Sequence, residues 1–174
     1  MRSRLNQEEA HEILAPYIPD MAKAPHLGLD RYNSSVEPGA RAEHRPSTSA
    51  NSIYDHTWAE LIEKLGEKVG LHFLEINGLK ILNFDDKLVL RLKKVDQQGQ
   101  HSNISTKQQK AFDAQESIPG LPFERLILGY EPDQVFSRVI RVTIRPVHRE
   151  WAVQIHDRQE DNWEIVSQQF LLRA

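Results

Sequence analysis

The chain has 174 residues, of which 39% are hydrophobic and 27% charged, a balance typical of one soluble globular domain with a sizeable core. It contains no cysteine, which excludes disulfides, thiol catalysis and thiolate metal sites, and its formal net charge of −3 argues against a general binder of polyanions. No apolar run is long enough to cross a membrane and no signal peptide is recognisable, so we expect a cytoplasmic protein.

Residues 1–18 contain a short amphipathic segment that we predict to be a docking helix. Pro16 is expected to end or kink it, because proline lacks the N–H that a helix interior needs. A helix this short is not stable alone in water, so it should dock on the domain or on a partner. Its apolar residues recur at helical spacing: Ala10, Ile13, Leu14, Tyr17 and Ile18.

Residues 19–52 are predicted to form a flexible linker. Pro19, Pro25, Pro38 and Pro46 interrupt any regular period, and clusters of serine, threonine and asparagine lie at residues 33–35 and 47–49. A structureless loop of this length is uncommon inside a compact domain. The pattern therefore favours a linker that leaves the first helix as a flexible arm.

Residues 53–174 are predicted to form a single α+β domain, which begins with an amphipathic helix over residues 55–69. Asp55 is expected to cap the first turn of this helix, and Gly70 to take the left-handed conformation after its end. Its apolar face repeats at helical spacing: Trp58, Leu61, Ile62, Leu65 and Val69.

A three-stranded meander is predicted over residues 71–95. The Asn77-Gly78 pair between two apolar runs is the strongest short hairpin signal, because both residues tolerate the positive φ of a type I′ turn. Asp85-Asp86 marks the second turn. In the third strand Leu88, Leu90 and Leu92 share one face, which should pack on the core. The cations of this strand share the opposite face.

The rest of the chain is predicted to hold a basic helix over residues 106–115 and four more strands. These strands are expected over residues 125–130, 135–145, 149–156 and 163–171. With one long helix before them, they indicate an α+β fold in which a mostly antiparallel sheet packs on that helix.

The middle of the chain is basic although the whole chain is acidic. Residues 87–110 carry six lysines and arginines against one aspartate, which is typical of a surface that meets an anionic partner, although a solvated, charge-rich surface is the alternative. If the strands over 87–95 and 135–145 share a sheet face, their cations would merge into one surface. We therefore predict an anion-binding or partner-binding site from these residues: Arg91, Lys93, Lys94, Lys107, Lys110, Arg141 and Arg145.

No catalytic residue, metal site or cofactor is predicted. No two of the eight histidines are spaced i,i+4, so a helix with two zinc ligands is not expected. Arg91 stands where a PD-(D/E)xK nuclease needs its second metal-binding acid, and a cation there repels Mg²⁺. The other acids and the lysine follow the order of that nuclease skeleton: Glu60, then Asp85 or Asp86, then Lys93.

The chain resembles a family of small uncharacterised bacterial proteins in four runs: residues 91–96 (RLKKVD), 102–109 (SNISTKQQ), 119–122 (PGLP) and 129–130 (GY). The genes of that family often lie beside a regulator that joins a helix-turn-helix to an ImmA/IrrE-type zinc peptidase domain. Such pairs are similar to toxin–antitoxin or phage-defence modules. The resemblance covers about residues 55–155 and implies a genetic context rather than a chemistry.

We predict a non-enzymatic interaction protein, one component of a toxin–antitoxin or phage-defence-type pair, that binds a partner protein such as the product of a neighbouring gene. The alternative is a nucleic-acid-binding protein that uses a cationic sheet face. A metal-dependent nuclease is the third hypothesis. The identity of the partner and the oligomeric state stay open at this point.

Overall fold

The computed structural model describes residues 4–76, 78–101, 110, 112, 122, 124–148 and 150–166. The first part of the chain is helical: α1 (Gln7–Leu14), a 3₁₀ turn (Ala15–Tyr17), α2 (Ile18–Ser35), α3 (Pro38–Glu43) and α4 (Pro46–Leu65). The described remainder contributes seven strands: β1 (Leu71–Ile76), β2 (Leu79–Phe84), β3 (Leu88–Lys94), β4 (Arg125–Pro132), β5 (Val139–Pro146), β6 (Val153–Ile155) and β7 (Trp163–Ile165).

The strands form one sheet in which their order across the sheet is their order along the chain. Neighbouring strands pair antiparallel, except that β3 and β4 run parallel, in register from Val89 with Arg125 to Lys94 with Tyr130. The helices pack on one face of this sheet. The predicted α+β fold, with a mostly antiparallel sheet packed on a long helix, is therefore confirmed.

The two turns of the predicted meander lie where the sequence places them. Ile76 pairs with Leu79 across the first turn, and Gly78 has a φ of +80°, which glycine adopts easily because it has no Cβ. In the second turn Asp85 and Asp86 have φ values of +51° and +55°. Aspartate is one of the few residues that enter this left-handed region, so the acidic pair suits the turn.

Residues 19–52 do not form the predicted flexible linker, because α2, α3 and the first turns of α4 occupy them. Three of the prolines that indicated a linker, Pro19, Pro38 and Pro46, stand in the first two positions of a helix. Proline is compatible with those positions, since the N–H it lacks would have no partner inside the helix. Pro25 lies inside α2 and is buried there.

The N-terminal helix is packed in the core and is not a flexible arm. α1 begins with a capping box: the Asn6 side chain accepts from the Glu9 N–H, and the Glu9 carboxylate accepts from the Asn6 N–H. Ala10 and Leu14 are fully buried in the main core. The docking predicted for residues 1–18 therefore takes place on this chain's own domain.

α2 supplies a buried helical face that the sequence prediction missed. Its position in the core follows the 3.6-residue period, which brings residues three and four apart onto one side of the helix. The buried residues on this face recur at that spacing: Ile18, Met21, Ala22, Pro25, Leu29 and Tyr32.

α4 is the predicted long amphipathic helix, although it spans Pro46–Leu65 rather than 55–69. Asp55, the predicted cap, lies inside it, and of the predicted face Ile62 is 46% and Val69 96% exposed. Neither α4 nor any other described helix combines the length and apolar character that a membrane span requires. Three predicted core residues of α4 are buried: Trp58, Leu61 and Leu65.

The central strands are covered on both faces. The predicted leucine face of β3 is buried with the helices in the main core. The opposite face packs a smaller apolar cluster, in which Phe112 comes from the connection between β3 and β4: Leu79, Ile81, Val89, Phe112 and Ile127. The face predicted to present cations is therefore partly a second core.

The later strands are shorter than predicted. β5 begins at Val139 rather than at residue 135, and β6 covers Val153–Ile155 within the predicted range 149–156. β7 ends at Ile165, and residues 167–171 of the predicted last strand lie outside the described residues. Most of the predicted helix over 106–115 also lies outside them, while Lys110 and Phe112 are helical.

The close contact between α2 and α4 gives a first prediction. A Cβ at Gly28 would overlap the Thr57 hydroxyl and lie 2.7 Å from the Thr57 backbone nitrogen. Gly28→Ala should therefore push the helices apart and lower the free energy of unfolding by about 1–3 kcal/mol in urea denaturation. Gly39→Ala in α3 is the control: nothing lies within 4 Å of that Cβ, so stability should hold or rise. Equal losses at the two sites would contradict this packing.

Leu61 tests the face of α4 that packs on the sheet. It is 0% exposed, whereas its neighbour Ile62 is 46% exposed. Leu61→Ala should lower the free energy of unfolding by about 2–5 kcal/mol, because it leaves a cavity in the core. Ile62→Ala should lower it by about 1 kcal/mol or less. Thermal denaturation of both variants measures the difference, and a larger loss at Ile62 would show that the helix is rotated.

Candidate binding cleft at the start of helix α4

A cleft opens beside β3 where β2 separates from it. Leu82–Phe84 of β2 pair with Leu88–Leu90 of β3, and the rest of β3 pairs with β4 alone among the described strands. We name this cavity the α4 cleft; its volume is about 540 Å³. Its walls are the first turns of α4, the second half of β3 and one residue of β4: Pro46, Ser47, Ala50, Asn51, Tyr54, Arg91, Leu92, Lys93, Lys94 and Tyr130.

The α4 cleft has a positive electrostatic character. Arg91, Lys93 and Lys94 line it, and its described wall contains no acidic residue. The α4 residues that line the cleft lie along one side of the helix over more than two turns, from Pro46 to Tyr54. Arg45, which precedes the helix, makes no side-chain capping hydrogen bond. The cationic side chains favour an anionic over a cationic ligand.

Tyr130 lines the α4 cleft and is 1% exposed, and its hydroxyl has no hydrogen-bond partner among the described residues. A buried hydroxyl without a partner costs about 1–3 kcal/mol. Burial raises the pKa of Tyr130 far above its ordinary value, and the nearby Tyr54 and Asp55 raise it further. Burial also raises the pKa of Tyr54, partly offset by Arg91. Both hydroxyls therefore stay protonated at neutral pH.

Three of the predicted site residues, Arg91, Lys93 and Lys94, come together in this cleft. The Arg91 guanidinium also lies over the Phe112 ring, 5.7 Å from its centroid. Lys94 belongs to the leucine side of β3, and its ammonium lies 5.5 Å from the centroid of Phe136. Neither aromatic ring lines the α4 cleft, so these cation–π contacts direct the charged ends of Arg91 and Lys94 toward the second core and the loop after β4.

Arg145 has a structural role rather than the predicted binding role. It is 4% exposed, although it lies on the same sheet face as Arg91. Its Nε donates to the Gly99 carbonyl at 3.1 Å, and a terminal nitrogen donates to the carbonyls of Pro146 and Val147. These bonds fasten the turn after β3 to β5. Arg145 is therefore buried in the protein and not exposed on the sheet face.

Arg141 likewise bonds inside the protein. Its Nε donates to Glu131 at 2.5 Å, and the Glu131 side chain is 4% exposed. A second nitrogen donates to the Gln97 carbonyl at 3.4 Å. Because Glu131 neutralises it, Arg141 adds little positive charge to this face. The predicted merging of Arg141 and Arg145 with the cations of β3 into one binding surface is therefore not supported.

The last two predicted cations come from the connection between β3 and β4. Lys110 is exposed and helical, but it is not part of the α4 cleft wall. Lys107 lies outside the described residues.

The loop between β4 and β5, residues 133–138, borders two further cavities of about 570 and 510 Å³. Phe136 lines both and has a φ of +54°, a strained conformation for a bulky side chain. Asn33 donates to the Phe136 carbonyl at 3.1 Å. The Ser137 hydroxyl and N–H donate to the Asp133 carboxylate and hold its pKa below the ordinary value. These bonds brace the loop.

A chain of hydrogen bonds lines the smaller of these cavities. The Tyr32 hydroxyl lies 2.8 Å from Ser49 Oγ and 2.8 Å from His44 Nδ1. His44 reaches the serine only through the phenol, so it is poorly placed as a general base for Ser49. We interpret the chain as a clamp that joins α2, the end of α3 and α4.

The residues of the nuclease hypothesis do not assemble a metal site in the described part of the chain. Glu60 pairs with Arg31 at 3.2 Å, and Asp86 accepts from the Asn83 amide at 2.7 Å. Among the described residues no three histidine or acidic side chains lie close enough together to hold a metal ion. The geometry therefore offers no support for metal-dependent cleavage.

The α4 wall of the cleft was missed because it lies at the border of the predicted linker. The run Pro46-Ser47-Thr48-Ser49 has the composition of a loop, yet proline followed by hydroxyl residues is also typical of a helix start. Tyr130 carried no signal that distinguishes it from an ordinary core tyrosine.

Comparisons of the chain with protein-family models, with curated proteins and with solved structures find no match. The function must therefore be inferred from the geometry of the molecule.

Tyr130 gives a prediction on alkaline stability. Its pKa is raised in the folded state above the ordinary value of 10.0, so the unfolded chain releases the proton at lower pH than the folded protein does. The stability contributed by the neutral phenol is therefore present below that value and lost as the pH rises beyond it. Tyr130→Phe removes this titration.

Urea denaturation between about pH 9 and about pH 11 measures the effect. The Tyr130→Phe variant should lose less stability across this range than the wild type. Tyr17→Phe is the control for the loss of a phenol hydroxyl, since Tyr17 bonds to the Val69 carbonyl away from the cleft. Parallel profiles for wild type and Tyr130→Phe would contradict the raised pKa.

Proposed function

We propose that the protein is a non-enzymatic interaction protein that binds a partner protein at a rim formed by Val135, Phe136 and Ile140. Val135 is 78% and Ile140 47% exposed, although both are large apolar residues. Phe136 lines both neighbouring cavities, with Val135 on one and Ile140 on the other. This exposed apolar rim beside two cavities is the observation that carries the proposal.

The strain at Phe136 supports the same proposal. A bulky residue with a φ of +54° persists only where its surroundings hold it, and such residues cluster at binding and switch sites. Asn33 and the bonds between Asp133 and Ser137 provide that hold. A loop fixed before binding loses little conformational entropy when a partner arrives, which strengthens the interaction.

The 570 Å³ cavity next to the rim has the mixed character of a pocket for a partner side chain. Phe136 and Ile140 provide apolar wall, while Lys94, Gln100 and His101 provide polar groups. An anchor residue inserted in such a pocket carries much of the affinity of many protein interfaces. The cationic sheet face required by the nucleic-acid alternative loses Arg141 and Arg145 to internal bonds, so we favour the protein partner.

The partner to test first follows from the resemblance found in the sequence. In a toxin–antitoxin or phage-defence-type pair it would be the product of the neighbouring gene, a regulator with a helix-turn-helix and a zinc peptidase-type domain. Co-expression of the two genes and co-purification of their products tests this pairing directly.

Substitution of the rim tests where the partner binds. Val135→Thr together with Ile140→Thr should weaken binding of the co-expressed partner at least about tenfold, because an anchoring contact contributes roughly 1.4 kcal/mol or more. Binding is measured by calorimetry or by surface immobilisation of the partner. The thermal midpoint of the variant should stay near that of the wild type, since both side chains are exposed.

Ile165→Thr is the matched control, because Ile165 is 67% exposed and lies on β7 at the edge of the sheet. It should bind the partner as the wild type does. Full binding by the rim variant, or equal weakening by Ile165→Thr, would refute the rim as the interface. Failure of the wild type to bind the neighbouring gene product would refute this pairing.

A further inference from the structure

We propose that the α4 cleft binds an extended segment of the partner protein, which adds a strand to β3 along Leu92 and Lys94. The inference rests on the proposed function for the source of this segment. Three features of the cleft support it: the edge of β3 that lines one wall, the length that this edge shares with the α4 wall, and a buried hydroxyl beside them.

The cleft runs along the edge of β3 rather than over one of its faces. Side chains alternate between the two faces of a strand, so a pocket over one face touches every second residue. The α4 cleft is lined by four successive residues of β3, from Arg91 to Lys94. A cavity that touches all four lies beside the strand, on a side to which backbone N–H and C=O groups point.

The hydrogen bonds of β3 show which residues direct their backbone groups to this side. The Val89 N–H donates to the Glu124 carbonyl at 3.0 Å, and the Val95 N–H donates to the Tyr130 carbonyl at 2.9 Å. Successive residues of a strand direct their N–H and C=O groups to opposite sides, so the odd-numbered residues from Val89 to Val95 bond toward β4. The even-numbered residues direct theirs toward β2.

β2 pairs with this side of β3 only as far as Leu90, which lies opposite Leu82. Leu92 and Lys94 lie beyond that point, and no described strand pairs with them on this side. A run of such backbone donors and acceptors is a template for another strand. An extended peptide would bond to it, whereas a helix uses its own N–H and C=O groups internally.

The two long walls of the cleft match each other in length. α4 rises about 12 Å from Pro46 to Tyr54, and β3 rises about 10 Å from Arg91 to Lys94. The cavity between them has a volume of about 540 Å³. A channel of this length between a helix and a strand edge takes about four residues of extended chain.

The side chains of the walls suit a peptide. Ala50, Tyr54 and Leu92 form apolar wall, against which every second side chain of an added strand would pack. Tyr130 lines the cleft and is 1% exposed, and its hydroxyl has no hydrogen-bond partner in the part of the chain that the structure describes. Native proteins rarely bury a polar group in this state. A carbonyl of the segment would accept the proton of this hydroxyl.

The cleft is continuous with the partner-binding rim, which indicates where the segment comes from. Pro46 and Lys94 line both the α4 cleft and the 570 Å³ cavity whose apolar wall includes Phe136 and Ile140. A partner anchored at the rim can therefore extend a segment past Lys94 to the edge of β3. We assign the segment to that partner.

Random octapeptides displayed on phage test whether the cleft takes an extended chain. Selection on the full chain should enrich peptides with apolar residues at alternate positions, because one side of an added strand faces α4. Failure to enrich any peptide, or enrichment of peptides without this alternation, would overturn the proposal.

Methylation of the peptide backbone tests strand pairing directly. Each amide nitrogen of a synthetic enriched peptide is methylated in turn, which removes one N–H donor, and binding is measured by titration calorimetry. Only every second amide of an added strand faces β3, so losses of at least about tenfold should alternate with positions that tolerate the methyl group. Uniform losses, or none, would overturn the pairing.

A matched pair of alanines in α4 tests the location. Ala50→Gln places a longer neutral side chain in the channel at little cost to the helix, and it should weaken peptide binding at least about tenfold. Ala59→Gln is the control, because Ala59 is also half-buried in α4 but does not line the cleft. Its thermal midpoint should match that of Ala50→Gln, and it should bind the peptide as the wild type does. Full binding by Ala50→Gln, or equal weakening by both, would overturn the site.

Tyr130→Phe tests the hydroxyl without adding bulk to the cleft. It should weaken peptide binding about fivefold, in the range expected for one neutral hydrogen bond, while the thermal midpoint of the free protein holds or rises. Tyr17→Phe is the control and should leave peptide binding unchanged. Unchanged binding by Tyr130→Phe would overturn the hydrogen bond from Tyr130 to the segment.

The source of the segment is tested with the co-expressed product of the neighbouring gene. Ala50→Gln should weaken binding of that protein, and full binding would overturn the partner as the source. Val135→Thr with Ile140→Thr should leave peptide binding unchanged, because neither residue lines the cleft. Failure of the rim is therefore distinguishable from failure of the cleft.

Discussion

The close approach of α2 to α4 at Gly28 sets the position of the other parts of the structure. Because Gly28 has no Cβ, the backbone of Thr57 can lie directly against α2. α2 then packs on β5 and β6 while α4 packs on β3, so this helix pair covers both parts of the sheet. This crossing sets where the first turn of α4 lies relative to the sheet. The α4 cleft and the rim both lie beside that first turn.

Several features that cost stability lie at this same end of the molecule. The Tyr130 hydroxyl is buried without a described partner, Phe136 has a left-handed backbone, and Val135 is an exposed apolar residue in a turn. Elsewhere the chain follows local rules, as in the capping box of α1 and the glycine of the first hairpin turn. Departures from local consistency are expected where a protein binds something, because binding then compensates for them.

The sheet could be predicted further than the helices, for a physical reason. Alternation in β3 and the turn at Gly78 are local signals, and both were correct. The prediction of a linker was wrong, because the sequence does not show whether Pro38 and Pro46 end one element or begin a helix. In the cleft, charge alone identified the lysines of β3. Charge could not show that Arg145 is structural. Strand alternation predicts the sheet face of a side chain, but it does not predict which backbone carbonyls, such as that of Gly99, lie over that face.

The parallel pairing of β3 with β4 divides the sheet into two meanders. β1 to β3 and β4 to β7 are each built from antiparallel neighbours in chain order, and Val89–Lys94 meet Arg125–Tyr130 where the two join. Antiparallel neighbours are close in sequence, whereas a parallel pair needs a long crossover between its strands. Residues 95–124 make this crossover, and Phe112 within it is buried in the smaller apolar cluster, which anchors the crossover on the sheet. In kinetic terms, each meander can form from strands close in sequence, whereas the joint between β3 and β4 brings distant residues together and should form more slowly.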